Sequence, residues 1–377
     1  GNYSLAAGDR PDIVGDQGLW WVMNDVGNVH AELGTLPLGI EVRVLAFSFD
    51  RTDALGSTTF YRYTILNKSG TDIEDTYVSV FSDPDLGDAV DDYIGSVVDA
   101  GLGYAYNADN ADLAYGTPPP AVGYDLLQGP IVPDGSDAGV EPDTLLMSAF
   151  SYIRKVGLSD GSGDPHNGAH IYNFQQGLWG DGTAMRAYGD GYQEPQGAVT
   201  TFAFPGDPVT SQWWSERNPF GTGPPSPNAP GDRRFALHTG PFTLASGASQ
   251  DVVLGIVFAQ GTSFLNSVTA LRAADATVQA FYDADFVVAS EGAPRSGAPL
   301  AVAPNPFTTE ARVSVGAAPG AEVHAVLFDV LGRQVAAVHA GPLSGDLRVS
   351  GAGLAPGVYV LRVRAEGTER AVRLVRR

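Results

Sequence analysis

The chain has 377 residues, of which 44% are hydrophobic and 17% charged, a globular composition long enough for two or three domains. It contains no cysteine, which excludes disulfides and thiolate metal sites. The formal net charge of −21 argues against nucleic acid as a partner, because its phosphates would be repelled.

The charge is unevenly distributed along the chain. Residues 294–377 contain ten arginines and six acids, a net charge of +4, which leaves −25 for the preceding residues. No run approaches the roughly 18 consecutive apolar residues of a transmembrane helix, so we expect no membrane span. The chain begins at Gly1 in polar sequence without a signal peptide, which is typical of a processed product or a fragment.

The first part of the chain predicts antiparallel strands. Residues 1–39 combine turn signals with aromatic residues. Alternating patterns follow at 40–49 and 58–66, and a third strand is predicted at 76–81. Successive short strands joined by turns predict a mostly all-β fold, with a large β-sandwich as the basis of the body.

The rest of the body is predicted to combine long loops with strands at 242–259 and one helix. Residues 83–145 are rich in Asp and predict a loop region without helix or sheet of its own. Apolar residues recur at helical spacing over about 263–286, where Ser263 is suited to cap the helix. The body is therefore predicted to span residues 1–290.

The C-terminal residues predict a separate small domain. Residues 291–299 are rich in Gly and Pro, which is typical of a linker. Six short strands at even spacing then predict an immunoglobulin-like sandwich over residues 300–377. These predicted strands are 311–315, 323–329, 335–339, 346–349, 358–364 and 370–375.

Four motifs occur in order within this predicted domain. They are PNPF, formed by Pro304, Asn305, Pro306 and Phe307; VLFDVLGRQV, with Leu331, Gly332 and Arg333; GLAPGVYVLRV, with Pro356, Gly357 and Tyr359; and the basic end RAVRLVRR. The series resembles the type A sorting domain of type IX secretion cargo. The resemblance implies that the type IX export machinery carries the chain across the outer membrane of a Bacteroidota-type bacterium. It also implies that the sorting domain is removed and that the body is anchored to lipopolysaccharide or released.

Segments of the body resemble uncharacterised extracellular proteins that carry such a tail. Five segments contribute to this resemblance: GDRPDIVGDQGLWWVMND (8–25), DPDLGDAVDDYIG (83–95), GYAYNADNAD (103–112), PPAVGYDLLQGPIV (119–132) and GDRRFALHTGPFTLASG (231–247). The resemblance implies an extracellular or outer-membrane-surface location and no particular activity.

Acidic residues cluster in the predicted loop region and are candidate ligands of a structural Ca²⁺ ion. Asp at alternating positions, with Gly87 for a sharp turn, brings several oxygens to one place, and Ca²⁺ takes six to eight oxygens at about 2.3–2.6 Å. The alternative is that Asp, Asn and Gly simply form turns. The candidate ligands are Asp83, Asp85, Asp88, Asp91, Asp92, Asn107, Asp109 and Asp112.

Tryptophans in the second half of the body are candidates for stacking on a glycan. Trp179, Trp213 and Trp214 are the residues in question, and the alternative is that their rings pack in the core. No nucleophile elbow, phosphate loop or HExxH motif occurs, so we predict a protein that is not an enzyme.

These observations favour an exported cell-surface or extracellular protein with a structural or interaction role. The opposite charges of body and tail suggest self-assembly from head to tail, into a filament or layer, as well as docking of the tail on its own body. A carbohydrate-binding surface module and a secreted hydrolase are the alternatives. The expected partners are therefore the export machinery, copies of the chain, and a surface glycan or lipopolysaccharide.

Overall fold

A computed structural model describes residues 14–27, 30–31, 33–132, 143–154, 157–221, 226–284, 286, 300–315, 320–329, 333–365 and 368–377. The protein is mostly β, with several antiparallel sheets and two helices in these ranges, which confirms the predicted fold class. No helix among these residues has the length and apolar character needed to cross a membrane.

The body consists of short antiparallel strands and both helices. In chain order its elements are β1 (Gln17–Asn24), β2 (Ile40–Ser48), β3 (Thr58–Asn67), β4 (Ile73–Ser82), β5 (Asp92–Val97), β6 (Leu102–Asn107), β7 (Ala121–Gln128), β8 (Ile131–Val132), β9 (Asp143–Thr144), β10 (Ala149–Ile153), α1 (Gly168–Gln175), β11 (Arg186–Ala187), β12 (Ala198–Val199), β13 (Arg234–Leu244), β14 (Ser249–Ala259) and α2 (Phe264–Asp283).

Two sheets of the body pack face to face. The larger has the strand order β1-β2-β3-β14-β7-β6-β5, and the smaller has the order β10-β13-β4. The close approach is clearest at Gly103 on β6, where a Cβ atom would lie 2.3 Å from the ring of Phe150 on β10 and 3.0 Å from Leu237 on β13. The core between the sheets is rich in aromatic rings and branched side chains.

Helix α2 covers the other face of the larger sheet. A Cβ at Gly123 on β7 would lie 3.2 Å from Leu271, and one at Gly255 on β14 would lie 3.3 Å from Val278. The helix is present where its periodicity predicts it, and the Ser263 hydroxyl accepts the Asn266 backbone N–H at 3.1 Å as an N-cap.

The Asp-rich region differs from the sequence prediction. Strands β5, β6 and β7 all lie within residues 83–145, which were predicted to form loops without a sheet of their own. These strands are almost entirely buried between α2 and the smaller sheet. Because both of their faces are covered, they lack the apolar–polar alternation that marks a half-exposed strand.

The C-terminal residues form two further sheets with their own core. Their strands are β15 (Ala301–Ala303), β16 (Glu310–Ser314), β17 (Ala321–Asp329), β18 (Gln334–Leu343), β19 (Leu347–Ser350), β20 (Gly357–Ala365) and β21 (Thr368–Arg376). The sheet orders are β15-β16-β19 and β18-β17-β20-β21, and both sheets contribute to one apolar cluster.

The chain divides into two compact units. One unit is Val14–Gln279, and Ala280–Arg377 belong to the other. The predicted linker, residues 291–299, lies outside the described residues.

Candidate functional site

The structure separates the predicted calcium ligands into two groups. The first, here the Arg234 group, contains Asp83, Asp85 and Asp232, whose carboxylate oxygens lie within 4.8 Å of one another. The second, here the β5–β6 group, lies where the loop before β5 meets the end of β6. Its members are Asp88, Asp91, Asp92, Asn107 and Asp112.

The centre of the β5–β6 group is a pair of residues on neighbouring strands. Asp92 begins β5 and is directly opposite Asn107, the last residue of β6, so their side chains lie on the same face of the sheet. Both residues are 0% exposed. The backbone N–H of Leu86 donates to Asp92 Oδ2 at 3.1 Å, whereas Asp92 Oδ1 and Asn107 Oδ1 accept no hydrogen bond.

Two carboxylates fix the orientation of the Asn107 amide. Its Nδ2 donates to Asp91 Oδ1 at 2.8 Å and to Asp112 Oδ2 at 3.2 Å. Because both amide hydrogens point to carboxylates, the remaining atom of the amide must be the oxygen. The unpartnered Asn107 oxygen therefore belongs to an amide held between two acidic side chains.

Asp112 also joins two loops. Its carboxylate accepts backbone N–H groups from Asp88 at 2.8 Å and from Ala114 at 2.7 Å. A Cβ at Gly87 would lie 2.2 Å from this carboxylate, and Gly87 has a φ of +87°, so only glycine suits the position. The turn glycine expected from the sequence thus brings the loop before β5 against Asp112.

The electrostatics of the group follow from burial. The pKa of Asp92 is raised to about 8, chiefly by burial and in smaller part by the neighbouring carboxylates of Asp91, Asp112 and Asp85, against the opposing effect of the Leu86 N–H. Burial also raises the pKa of Asp91. Backbone N–H donors outweigh burial at Asp112 and lower its pKa. A buried group of carboxylates of this kind favours the binding of either a proton or a hard cation.

The Arg234 group is already neutralised in part by a guanidinium. Arg234 Nε lies 2.9 Å from Asp83, and its terminal nitrogens lie 3.0 Å from Asp164 and 3.4 Å from Asp232. The structure thus places Asp83 in the Arg234 group, where its charge is paired with an arginine, and Asp92 in the β5–β6 group.

Asp109 belongs to neither group of carboxylates. Its Oδ1 accepts the backbone N–H of Ala111 at 2.8 Å, in a turn of its own exposed loop. The turn-forming alternative explains this residue without a metal.

The predicted stacking surface does not form as expected. Trp179 and Trp214 are completely buried, and each indole N–H donates at 2.9 Å to a backbone carbonyl, of Gly191 and Gly189 respectively. Their rings pack against other aromatic side chains of the core. Trp213 alone of the three is exposed.

The PNPF motif closes the edge of the last strand. Asn305 Oδ1 accepts the N–H of Val375 at 2.8 Å, and Asn305 Nδ2 donates to the carbonyl of Arg373 at 3.0 Å. Phe307 continues the contact, since its N–H donates to the Val375 carbonyl at 2.8 Å and its ring is buried. The motif therefore occupies polar groups on the free side of β21.

Other motif residues stabilise turns of the C-terminal sheets. Arg333 binds the Asp329 carboxylate through its side chain at 2.7 Å and its backbone N–H at 2.9 Å. The Tyr359 hydroxyl donates to the carbonyl of Ala355 at 2.7 Å, across the turn that contains Pro356, and Gly357 begins β20. Leu331 and Gly332 lie outside the described residues.

Strand β1 is a feature that the sequence analysis missed. It is the edge strand of the larger sheet, every residue of its sequence QGLWWVMN is exposed, and none is charged. Leu19 and Trp20 are each 61% exposed, and Trp21, Val22 and Met23 also present apolar surface. The unbroken apolar run between turn signals was the available indication of a strand.

Both ends of β1 are held by aspartates. Asp25 accepts backbone N–H groups from Gly39 at 3.1 Å and Ile40 at 2.9 Å, which closes the connection to β2. At the other end, Asp16 Oδ2 accepts the N–H of Asp50 at 2.8 Å. The exposed strand is thus a fixed element of the sheet.

Comparisons with known proteins leave the chain without an assigned family. No family model and no curated protein matches it. A solved structure named as a polysaccharide lyase is similar over 89% of this chain with 11% identity and a TM-score of 0.26. The chain spans 34% of that lyase's length, and a similarity at this TM-score carries no argument about function.

Proposed function

We propose that this chain is an exported, non-catalytic surface or extracellular protein that assembles with copies of itself through strand β1. The observation that carries the proposal is an edge strand that has no second partner strand among the described residues and that exposes apolar side chains on both of its faces. Such edges are normally short, charged or covered, because they pair readily with other strands.

The size of the exposed surface suits a protein–protein contact. Residues Leu19 to Met23 leave on the order of 500 Å² of surface exposed, most of it apolar. A standard interface takes about 800 Å² from each partner. Leu36 and Leu38, in the connection to β2, are also exposed and extend the apolar surface.

Charge favours a second copy approached from head to tail. Two bodies of net charge −25 repel each other, whereas a body attracts the +4 C-terminal residues of another copy. No described strand pairs with the outer edge of β18, whose sequence QVAAVHAGPL contains no Asp, Glu, Lys or Arg. We therefore infer that the exported chain keeps its C-terminal residues and that β18 of the next copy pairs with β1, a heterologous contact that builds a chain of molecules.

Export is supported by the motif series that resembles a type IX sorting domain. A reporter fused to residues 300–377 should leave a Bacteroidota-type cell that has the export machinery. It should remain inside a matched strain without that machinery. Retention in both strains would contradict this part of the proposal.

The assembly is tested by sedimentation of the full chain over a range of concentrations. The double variant Trp20→Lys with Val22→Lys places two charges on one face of β1 and should leave the protein monomeric. The matched control is Leu146→Lys with Val199→Lys, which adds the same charge at exposed positions outside β1 and should associate like the wild type.

Two results would overturn the proposed assembly. One is association of the β1 variant equal to that of the wild type. The other is a closed dimer that grows no further, since that would indicate β1 pairing with β1.

The carbohydrate-binding alternative has weaker support. Of its three predicted rings only Trp213 is exposed, at 43%, and the others are core residues. The hydrolase alternative has no site in the described residues that brings a nucleophile, a base and an open cleft together.

A further inference from the structure

Two buried side-chain oxygens, on residues paired across β5 and β6, accept no hydrogen bond. Asp92 Oδ1 and Asn107 Oδ1 belong to residues that are completely buried and directly opposite in the sheet. A buried acceptor without a partner costs about 1–3 kcal/mol.

The described side chains that hydrogen-bond to Asn107 supply further oxygens. Asn107 Nδ2 holds the carboxylates of Asp91 and Asp112 on either side of the amide. The neighbouring charges that act most strongly on Asp92 are all carboxylates. The Arg234 group differs in this respect, since a guanidinium lies among its acids.

We propose that the β5–β6 group binds one Ca²⁺ ion, with Asp92 Oδ1 and Asn107 Oδ1 as the buried ligands and Asp91 as a further carboxylate ligand. Ca²⁺ takes six to eight oxygens, so water completes the shell. The ligand set is smaller than the one predicted from sequence, because it omits Asp83, Asp85, Asp88, Asp109 and Asp112.

The ion would tie two strands together. Asp92 begins β5, Asn107 ends β6, and Asp112 holds the loop before β5 through the Asp88 N–H. Its role is therefore structural, and it is independent of the proposed assembly through β1.

The test uses the full chain, freed of metal by EDTA and dialysis, with CaCl₂ as the probe. Calorimetric titration should show one Ca²⁺ per chain, and the melting temperature should rise by more than about 3 °C at saturation. MgCl₂ at the same concentration should have a smaller effect, because Mg²⁺ demands a stricter octahedral geometry.

Two variants locate the site. Asp92→Asn should abolish the calcium-dependent rise or weaken binding at least tenfold, because it removes the buried carboxylate while it keeps the size of the side chain. Asp109→Asn, an exposed aspartate of the same region, is the matched control and should respond to calcium like the wild type.

The competing explanation for the two unpartnered oxygens is that Asp92 is protonated and binds no metal ion. It predicts that the wild type ignores calcium and EDTA, and that Asp92→Asn, which replaces the proton donor with an amide, melts as high as the wild type. That pair of results would overturn the calcium site, as would a calcium response left intact by Asp92→Asn.

Discussion

At the scale of single residues, one buried ion pair of the body has hydrogen-bond partners for both of its charged groups. Glu216 is completely buried and binds Arg233 at 2.8 Å, while its second oxygen accepts the Ile94 N–H at 2.8 Å. This ion pair attaches the loop before β13 to strand β5. The pair is stable in the core only while both partners are present, because burying either charge alone is energetically costly.

Removing one partner should therefore be costly. Glu216→Ala leaves the Arg233 charge buried and should lower the free energy of unfolding by about 3–5 kcal/mol. Lys68→Ala, which breaks an exposed contact with Glu41, should change it by less than about 1 kcal/mol. Denaturant unfolding of both variants measures the difference, and equal effects would contradict this account.

His238 makes the stability of the body depend on pH. It lies between the hydroxyls of Ser79 and Ser151, at 2.8 and 2.7 Å, and burial lowers its pKa to about 3 from an ordinary value of 6.5. Between these two values the unfolded chain binds a proton that the folded protein does not. Its contribution to stability is therefore complete above pH 6.5 and declines as the pH falls toward 3, at up to about 1.4 kcal/mol per pH unit.

The comparison with His238→Gln isolates this effect. Burial raises the pKa of Asp275 to about 6, so titration of Asp275 changes the free energy of unfolding in the opposite direction over part of this pH range. This contribution is the same in the wild type and the variant, so it cancels in their difference. Wild type should lose stability relative to the variant as the pH falls from 6.5 to 4. Parallel stability curves for the two proteins would show that His238 does not titrate on unfolding.

At the scale of elements, alternation in the sequence was informative where one face of a strand is exposed. The strands predicted at 40–49 and 58–66 are β2 and β3, and the one predicted at 76–81 lies within β4. Helix α2 was predicted from its period and its Ser263 cap.

Elements without alternation could not be predicted in the same way. Strands β5 to β7 are buried on both faces and contain Gly and Asp, so they resemble loops in composition. Strand β1 is exposed on both faces, so its residues show no pattern either. The candidate calcium site could not be predicted in full for the same reason, because the pairing of Asp92 with Asn107 depends on the register of two strands that the sequence did not predict.

The close packing of the two sheets at Gly103 gives a test of the sandwich. Gly103→Ala places a methyl group 2.3 Å from the Phe150 ring and should lower the free energy of unfolding by about 1–3 kcal/mol through overpacking. Gly27→Ala is the matched control, since its nearest contact would be an ordinary 3.6 Å. Thermal unfolding checks both, and similar melting temperatures would argue against this packing.

At the scale of the whole molecule, the chain combines an acidic body with a basic end. Bodies of net charge −25 repel one another. Strand β1 carries no charged residue, so a contact through this strand adds little electrostatic repulsion. The C-terminal sheets have one edge occupied by the PNPF motif and another, β18, without a described partner strand. These features together favour directional assembly.

The salt dependence of the association rate distinguishes the electrostatic contribution to this assembly from the apolar contribution of β1. If attraction between body and tail guides the encounter, association should slow as ionic strength rises from about 0.01 to 0.15 M, because the Debye length falls from roughly 30 to 8 Å. Stopped-flow light scattering measures that rate. A rate that stays constant with salt, or that rises because salt screens the repulsion between chains of net charge −21, would contradict the charge-guided orientation.

The most direct measurement of the central claim is amide hydrogen exchange at β1. In the full chain, exchange of residues 17–24 is compared between a dilute monomeric sample and a concentrated one, with β19 as an internal reference outside the proposed contact. We expect the outward N–H groups of β1 to become protected on association, together with those of β18, while β19 is unchanged. Unchanged exchange at β1 in a sample that has assembled would show that the molecules join elsewhere.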